Sequence, residues 1–100
     1  MTKQYIRLLS DVYCDWEALP PIYRVYVNDE LFAERTWIWK DSSIYLEELL
    51  QIEAKFGNYK IRYELVPPHL AKLQVKNMRV EYGPGKVDQQ GNLRIENATV

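Results

Sequence analysis

The residues able to do covalent or acid–base chemistry are few. One histidine, His69, stands in Pro67-Pro68-His69-Leu70, and one cysteine, Cys14, in Tyr13-Cys14-Asp15-Trp16. A Cys–His couple activates a thiolate only where the two side chains meet, and no motif spacing brings these together. A lone cysteine reads as a small buried hydrophobe. A histidine beside two prolines reads as a solvated loop residue without the positioned partner that proton transfer needs. No G-x-S-x-G, P-loop, H-E-x-x-H or paired C-x-x-C occurs. The expectation is a protein that is not an enzyme and carries no cofactor.

Oxygen ligands are more plentiful. Asp11, Asp15 and Glu17 lie near one another, as do Asn28, Asp29 and Glu30. Such groups suit calcium, but neither has the spacing of an EF-hand loop. Acids in turns ordinarily serve the turn itself, so no metal site is expected. The aromatic content is the most unusual feature, with 13% aromatic residues and eight tyrosines. One reading makes them core filling for a small domain. The other turns some rings outward, because Tyr26, Trp37 and Trp39 alternate with charged or polar neighbours. Tyr, Trp and Arg are what binding surfaces enrich, and planar rings on a sheet can stack on sugar faces. Tyr26, Trp37 and Trp39 are therefore the candidate ligand-binding residues.

Composition bounds the partners. Thirteen basic residues against 14 acidic give a net charge of −1, and no basic stripe for neutralising phosphates is visible, so nucleic acid is not expected. No apolar run approaches the roughly 20 residues that span a bilayer. The N-terminal Met1-Thr2-Lys3-Gln4-Tyr5 lacks the apolar block of a signal peptide. A single cysteine allows no internal disulfide. Both points fit assembly in a cytoplasm, or in a particle built there. The sequon Asn97-Ala98-Thr99 carries little meaning in that setting. One hundred residues at this size can bury roughly two thirds of the chain surface, enough for one core.

The elements that must position these residues are short. Turn-forming groups at Pro20-Pro21, Asn28-Asp29, Asp41-Ser42-Ser43, Gly57-Asn58, Pro67-Pro68, Gly83-Pro84-Gly85 and Gln90-Gly91-Asn92 divide the chain into strand-length pieces. Ile22–Val27 and Leu31–Trp39 alternate with period two and should form a hairpin through Asn28-Asp29-Glu30. Tyr59–Val66 alternates most cleanly. Leu73–Tyr82 changes phase at Lys76-Asn77, as a β-bulge would make it do. Gln4–Tyr13 and Leu93–Glu96 are candidate first and last strands. Val25, Val27, Ile61, Tyr63, Val75, Met78 and Val80 are the expected core.

Ser43–Phe56 admits two readings. As a helix it gathers Tyr45, Leu46, Leu49, Leu50, Ile52 and Phe56, capped by Asp41 or Ser42. As a strand it gathers Ile44, Leu46, Leu50, Ile52 and Ala54, with Glu48 intruding. The neighbouring strands and the short Gly57-Asn58 turn favour the strand. The expected fold is thus all-β, a small β-sandwich of jelly-roll or immunoglobulin-like type, with α+β as the alternative if 43–56 is helical. The sandwich should span residues 1–83, with 84–100 a polar C-terminal arm or hairpin. A small sandwich has open edges. Arg35, Lys60 and Arg62 are charges that could protect one, so a stable oligomer is only weakly expected.

Two resemblances add to this. Val25-Tyr26-Val27-Asn28-Asp29, Gly57-Asn58-Tyr59-Lys60-Ile61-Arg62-Tyr63 and Leu73-Gln74-Val75-Lys76-Asn77-Met78-Arg79-Val80 resemble the strand pattern of β-sandwich carbohydrate-binding modules. That likeness implies a glycan partner. The Asp- and Asn-rich calcium loop of those modules is not matched. The run from Arg24 to Trp37 is similar to short uncharacterised proteins of T4-like tailed phages of cyanobacteria. This second resemblance implies a virion component or capsid decoration, with a protein lattice as partner, and carries over no catalytic residue. The functional expectation is a non-enzymatic interaction module, with a carbohydrate-binding sandwich as the alternative.

Overall fold

Period-two alternation in several separate segments builds two antiparallel sheets. The structure is a computed structural model and describes residues 3–39, 44–67 and 71–96. In chain order the strands are β1 (Gln4–Trp16), β2 (Ile22–Val27), β3 (Glu30–Thr36), β4 (Tyr45–Ala54), β5 (Gly57–Leu65), β6 (Ala71–Tyr82), β7 (Gly85–Val87) and β8 (Asn92–Ile95). A three-stranded sheet, β4-β1-β6, packs on a five-stranded sheet, β3-β2-β5-β8-β7. The molecule measures 52 × 24 × 18 Å. This is the expected all-β sandwich.

The Ser43–Phe56 ambiguity resolves as a strand. β4 lies along β1 in unbroken register from Gln4↔Ala54 to Tyr13↔Tyr45. Leu50 and Ile52 are buried on its inner face, and Leu46 and Ala54 pack against the same core. The helical stripe was nearly as good, but a helix here would leave β1 with no partner on that side. Asp41 and Ser42, the helix-capping candidates, lie outside the described residues.

β1 supplies the centre of the core. Its even-numbered residues Ile6, Leu8, Val12 and Cys14 are buried against Tyr23 and Val25 of β2, Ile61 of β5 and Leu93 and Ile95 of β8. Of the residues expected inside, Val25, Ile61 and Met78 are buried, whereas Val27, Tyr63, Val75 and Val80 are half-buried at the margins.

The β2–β3 hairpin turns on two residues. Asn28 and Asp29 have φ of 50° and 67°, the left-handed pair of a tight turn that matches strand twist. Glu30, expected in the turn, instead pairs with Val27. Phe32 is an extra residue between the pairs Tyr26↔Leu31 and Val25↔Ala33. β3 stops at Thr36 and not at Trp39; beyond it Trp37 N still donates to Pro21 O at 2.8 Å and its ring enters the core.

The expected bulge in β6 is present. Between Leu9↔Arg79 and Asp11↔Lys76, β6 holds one residue more than β1, and Asn77 takes a φ of 54°. A second shift, between Arg7↔Tyr82 and Leu8↔Val80, turns Tyr82 out beside Tyr5. The Gln89 side chain docks at the first bulge. Its Oε1 accepts from Met78 N at 3.0 Å, and its Nε2 donates to Met78 O at 2.9 Å.

The segment after residue 83 is a hairpin built into the sandwich. β8 pairs with β5 from Gly57↔Ile95 to Lys60↔Asn92, and Leu93 and Ile95 are buried. The sandwich therefore runs past the expected boundary, since the two apolar residues of an otherwise polar stretch both face inward. Gly91, at φ 89°, lies so close that a Cβ would strike the Ile61 carbonyl. Lys60 sits where β5 pairs with β8 and guards no edge, Arg62 sits on the stretch of β5 that pairs with β2 alone, and Arg35 on edge strand β3 turns inward.

Burial of an Ile or Val in this core contributes about 1.5–3 kcal/mol, and a carboxylate there would be unpaired. Ile61→Asp should abolish the cooperative urea transition. Arg62→Ala removes an exposed pair with Glu64 and should shift stability by about 1 kcal/mol or less.

Candidate functional site

Alternation along β4 places one acid, Glu48, among apolar inward residues. Its carboxylate is 1% exposed, so its charge must be met inside the protein. Tyr23 Oη donates to Glu48 Oε1 at 2.8 Å. Arg35 Nε stands 2.6 Å from both carboxylate oxygens. The Arg35 side chain is 47% exposed and so keeps part of its hydration.

A second polar contact lies alongside. The hydroxyls of Ser10 and Tyr63 are 2.6 Å apart, and the Tyr23 and Tyr63 rings stack with centroids 6.1 Å apart. Ser10 is on β1 and Glu48 on β4, in one sheet. Tyr23, Arg35 and Tyr63 are on β2, β3 and β5, in the other. The group is a clasp between the sheets. Among the described residues no buried side-chain polar atom lacks a partner.

Burial, reinforced by Glu48, holds the Tyr23 hydroxyl far above its ordinary pKa. Burial pushes Tyr63 up to about 12. Both phenols are neutral hydrogen-bonding groups at ordinary pH and do not act as bases: Tyr23 orients the carboxylate and Tyr63 holds Ser10. Burial also raises the Cys14 thiol, which disfavours the reactive thiolate. His69 lies outside the described residues, as do Asn97, Ala98 and Thr99.

The expected aromatic platform does not form. Trp37 is 0% exposed, and its indole N–H donates to Trp39 O at 2.9 Å, a carbonyl that also accepts from Trp16 at 2.6 Å. Trp39 meets Trp37 edge-on at 5.1 Å and is 39% exposed. Tyr26 lies on the outer face of the other end of the hairpin, about 17 Å away at strand rise. Its ring is covered by the Arg62 guanidinium, 4.2 Å from the centroid. Trp37 thus presents no face to a ligand, and Trp39 and Tyr26 do not share one.

Tyr23, Arg35, Thr36, Trp37, Trp39 and Leu46 line a groove of about 330 Å³ between β3 and β4. The sequence signal for the clasp beside it was Glu48 intruding on an apolar face. The acids considered for calcium are dispersed or engaged. Asp11 accepts from Arg79 at 3.1 Å and from Asn77 at 3.2 Å, and no group of three metal-ligating side chains converges among the described residues.

The clasp makes an asymmetric prediction. Arg35→Ala leaves a buried carboxylate without its cation and should cost about 3–5 kcal/mol. Glu48→Gln keeps an acceptor for Tyr23 and should cost less, with urea unfolding as the measurement. In alkali, a group whose folded pKa is raised stabilises fully below its unfolded value and loses that contribution as pH rises. Stability should therefore fall from about pH 10, the unfolded tyrosine value, through the Tyr63 value of about 12. Tyr63→Phe should flatten that fall, followed by circular dichroism.

Comparison with known proteins finds no family model, no curated protein and no solved structure that matches the chain.

Proposed function

We propose that this protein is a non-enzymatic interaction module that adds an extended segment of a protein partner to the outer edge of β4. Four strands end the two sheets, and their edges differ. β3 carries a bulge at Phe32. β6 carries two register shifts and the docked Gln89 amide. β7 has three residues. Bulges, short strands and covering groups are what discourage strand addition. β4 has none of these: it runs ten residues without a register shift. Among the described residues, nothing pairs with its outer edge. That regular edge is the observation that carries the reading.

The side chains suit a partner other than a second copy. Apart from the buried Glu48, Tyr45–Ala54 presents Glu47 and Glu53 and no cation, so antiparallel self-pairing brings acid near acid. A partner strand with basic and apolar residues in alternation complements it, its apolar groups meeting exposed Tyr45 and Leu49. A virion lattice assembled in the host cytoplasm is the setting we favour, on the likeness of the hairpin to phage proteins. There, many weak contacts sum.

A photo-crosslinking residue at Gln51 should join the protein to one partner species in purified particles, whereas one at Glu64 on the opposite outer face should not. Light scattering of the isolated chain should return the monomer mass of 11.9 kDa. Absence of the protein from particles would remove the virion setting, and equal crosslinking from both positions would remove the β4 edge as the docking site.

A further inference from the structure

The outer face of the five-stranded sheet holds a separate polar depression, away from the β4 edge. Across β5 and β8, Asn58 stands opposite Arg94 and Lys60 opposite Asn92. Asn28 closes one side from the hairpin turn. Its N–H donates to Lys60 O at 2.9 Å, and its Oδ1 accepts from Lys60 N at 2.7 Å. These residues, with Tyr59 and Leu93, surround about 390 Å³.

Most arginines of the fold are ion-paired: Arg24, Arg35, Arg62 and Arg79 each have a carboxylate within ion-pair distance. Among the described residues Arg7, bonded to the Tyr5 hydroxyl, and Arg94 are not. Lys60 Nζ donates to Gln90 O at 2.5 Å and approaches Asn92 Oδ1 at 3.4 Å, and it too holds no carboxylate. On β7, Lys86 faces Arg94 and stands 3.6 Å from Glu96. The nearby Asp88 is turned to the loop: it accepts from Gln90 N, Asn92 N and Asn92 Nδ2 at 2.8–3.0 Å. That fixes the Asn92 side chain in place. Arg94 without an acid partner, Lys60 within reach of the Asp88 charge, and three carboxamides share one piece of sheet.

A guanidinium pairs with a planar carboxylate through parallel hydrogen bonds. A carboxamide offers a donor and an acceptor together, which matches neighbouring hydroxyls. Tyr59, which lines the depression, packs against the core, and Tyr26 on the same outer face is covered by Arg62. No open ring is left on which a nucleobase or a neutral sugar could stack. We propose that the depression binds an acidic saccharide, its carboxylate held by Arg94 with Lys60 beside it, and its hydroxyls by the Asn58 carboxamide and the Asn28 Nδ2. This goes beyond strand docking at β4 and uses none of the same residues.

Calorimetric titration of the full chain with a galacturonate oligomer tests it, with a neutral galactose oligomer and a single-stranded DNA oligonucleotide of equal charge as comparisons. Galacturonate should bind in the presence of a chelator and weaken with salt, and the other two should not bind. Arg94→Ala should weaken binding about tenfold or more, the effect of losing a charged hydrogen bond. Asn58→Ala, at an exposed position, should weaken it less, with circular dichroism confirming that both variants fold. No binding of galacturonate, equal binding of the DNA, or indifference to Arg94→Ala would each overturn the proposal. The crosslinking result at β4 is independent of all three outcomes.

Discussion

Glu48 is the constraint on which the sandwich's alignment depends. Apolar side chains between two sheets tolerate sliding and small rotations, since burial energy depends on area and hardly on direction. A buried carboxylate does not. It needs Tyr23 and Arg35 at hydrogen-bonding distance, and these come from two strands of the opposing sheet. The Ser10–Tyr63 contact fixes a second point next to it. Two polar points determine both position and rotation. The cost is borne in stability, because a buried ion pair is often no better than apolar residues of equal volume.

Much of this was legible from alternation alone. β2, β5 and the phase change in β6 follow from apolar residues two apart, and the bulge at Asn77 follows from that spacing breaking once. β4 was harder, because Leu46, Leu49, Leu50 and Ile52 suit a helical stripe as well as a strand face. Its partner β1 decided the matter, and pairing is a long-range fact that a local pattern does not contain. The C-terminal segment read as a polar arm or a hairpin outside the sandwich, because few of its residues, chiefly Leu93 and Ile95, are apolar. Two inward residues are enough when a central strand is waiting to be paired.

The site was less legible than the fold, for a physical reason. Trp37 and Trp39 alternate with their neighbours, which suggested rings on one sheet face. Trp37, however, keeps the inward phase of Ala33 and Arg35, so the face it shares is the core face. Trp37 lies in the core and Trp39 over its edge. Tyr26 does face outward, but the same sheet brings Arg62 across its ring. Glu48 was visible only as an irregularity. The depression around Arg94 had no sequence signature, because its residues come from three segments and share only their places on adjacent strands.

The contrast among the four sheet edges sets a stoichiometry. A sheet with two equivalent free edges can grow without limit, each added strand exposing a fresh template. Here bulges, brevity and the Gln89 amide spoil three edges, leaving β4 as a single point of attachment. On the proposed reading, in which a partner strand adds only at β4, such a unit has a valence of one for strand addition: it would terminate or decorate an array, one copy per partner segment, rather than propagate a fibre.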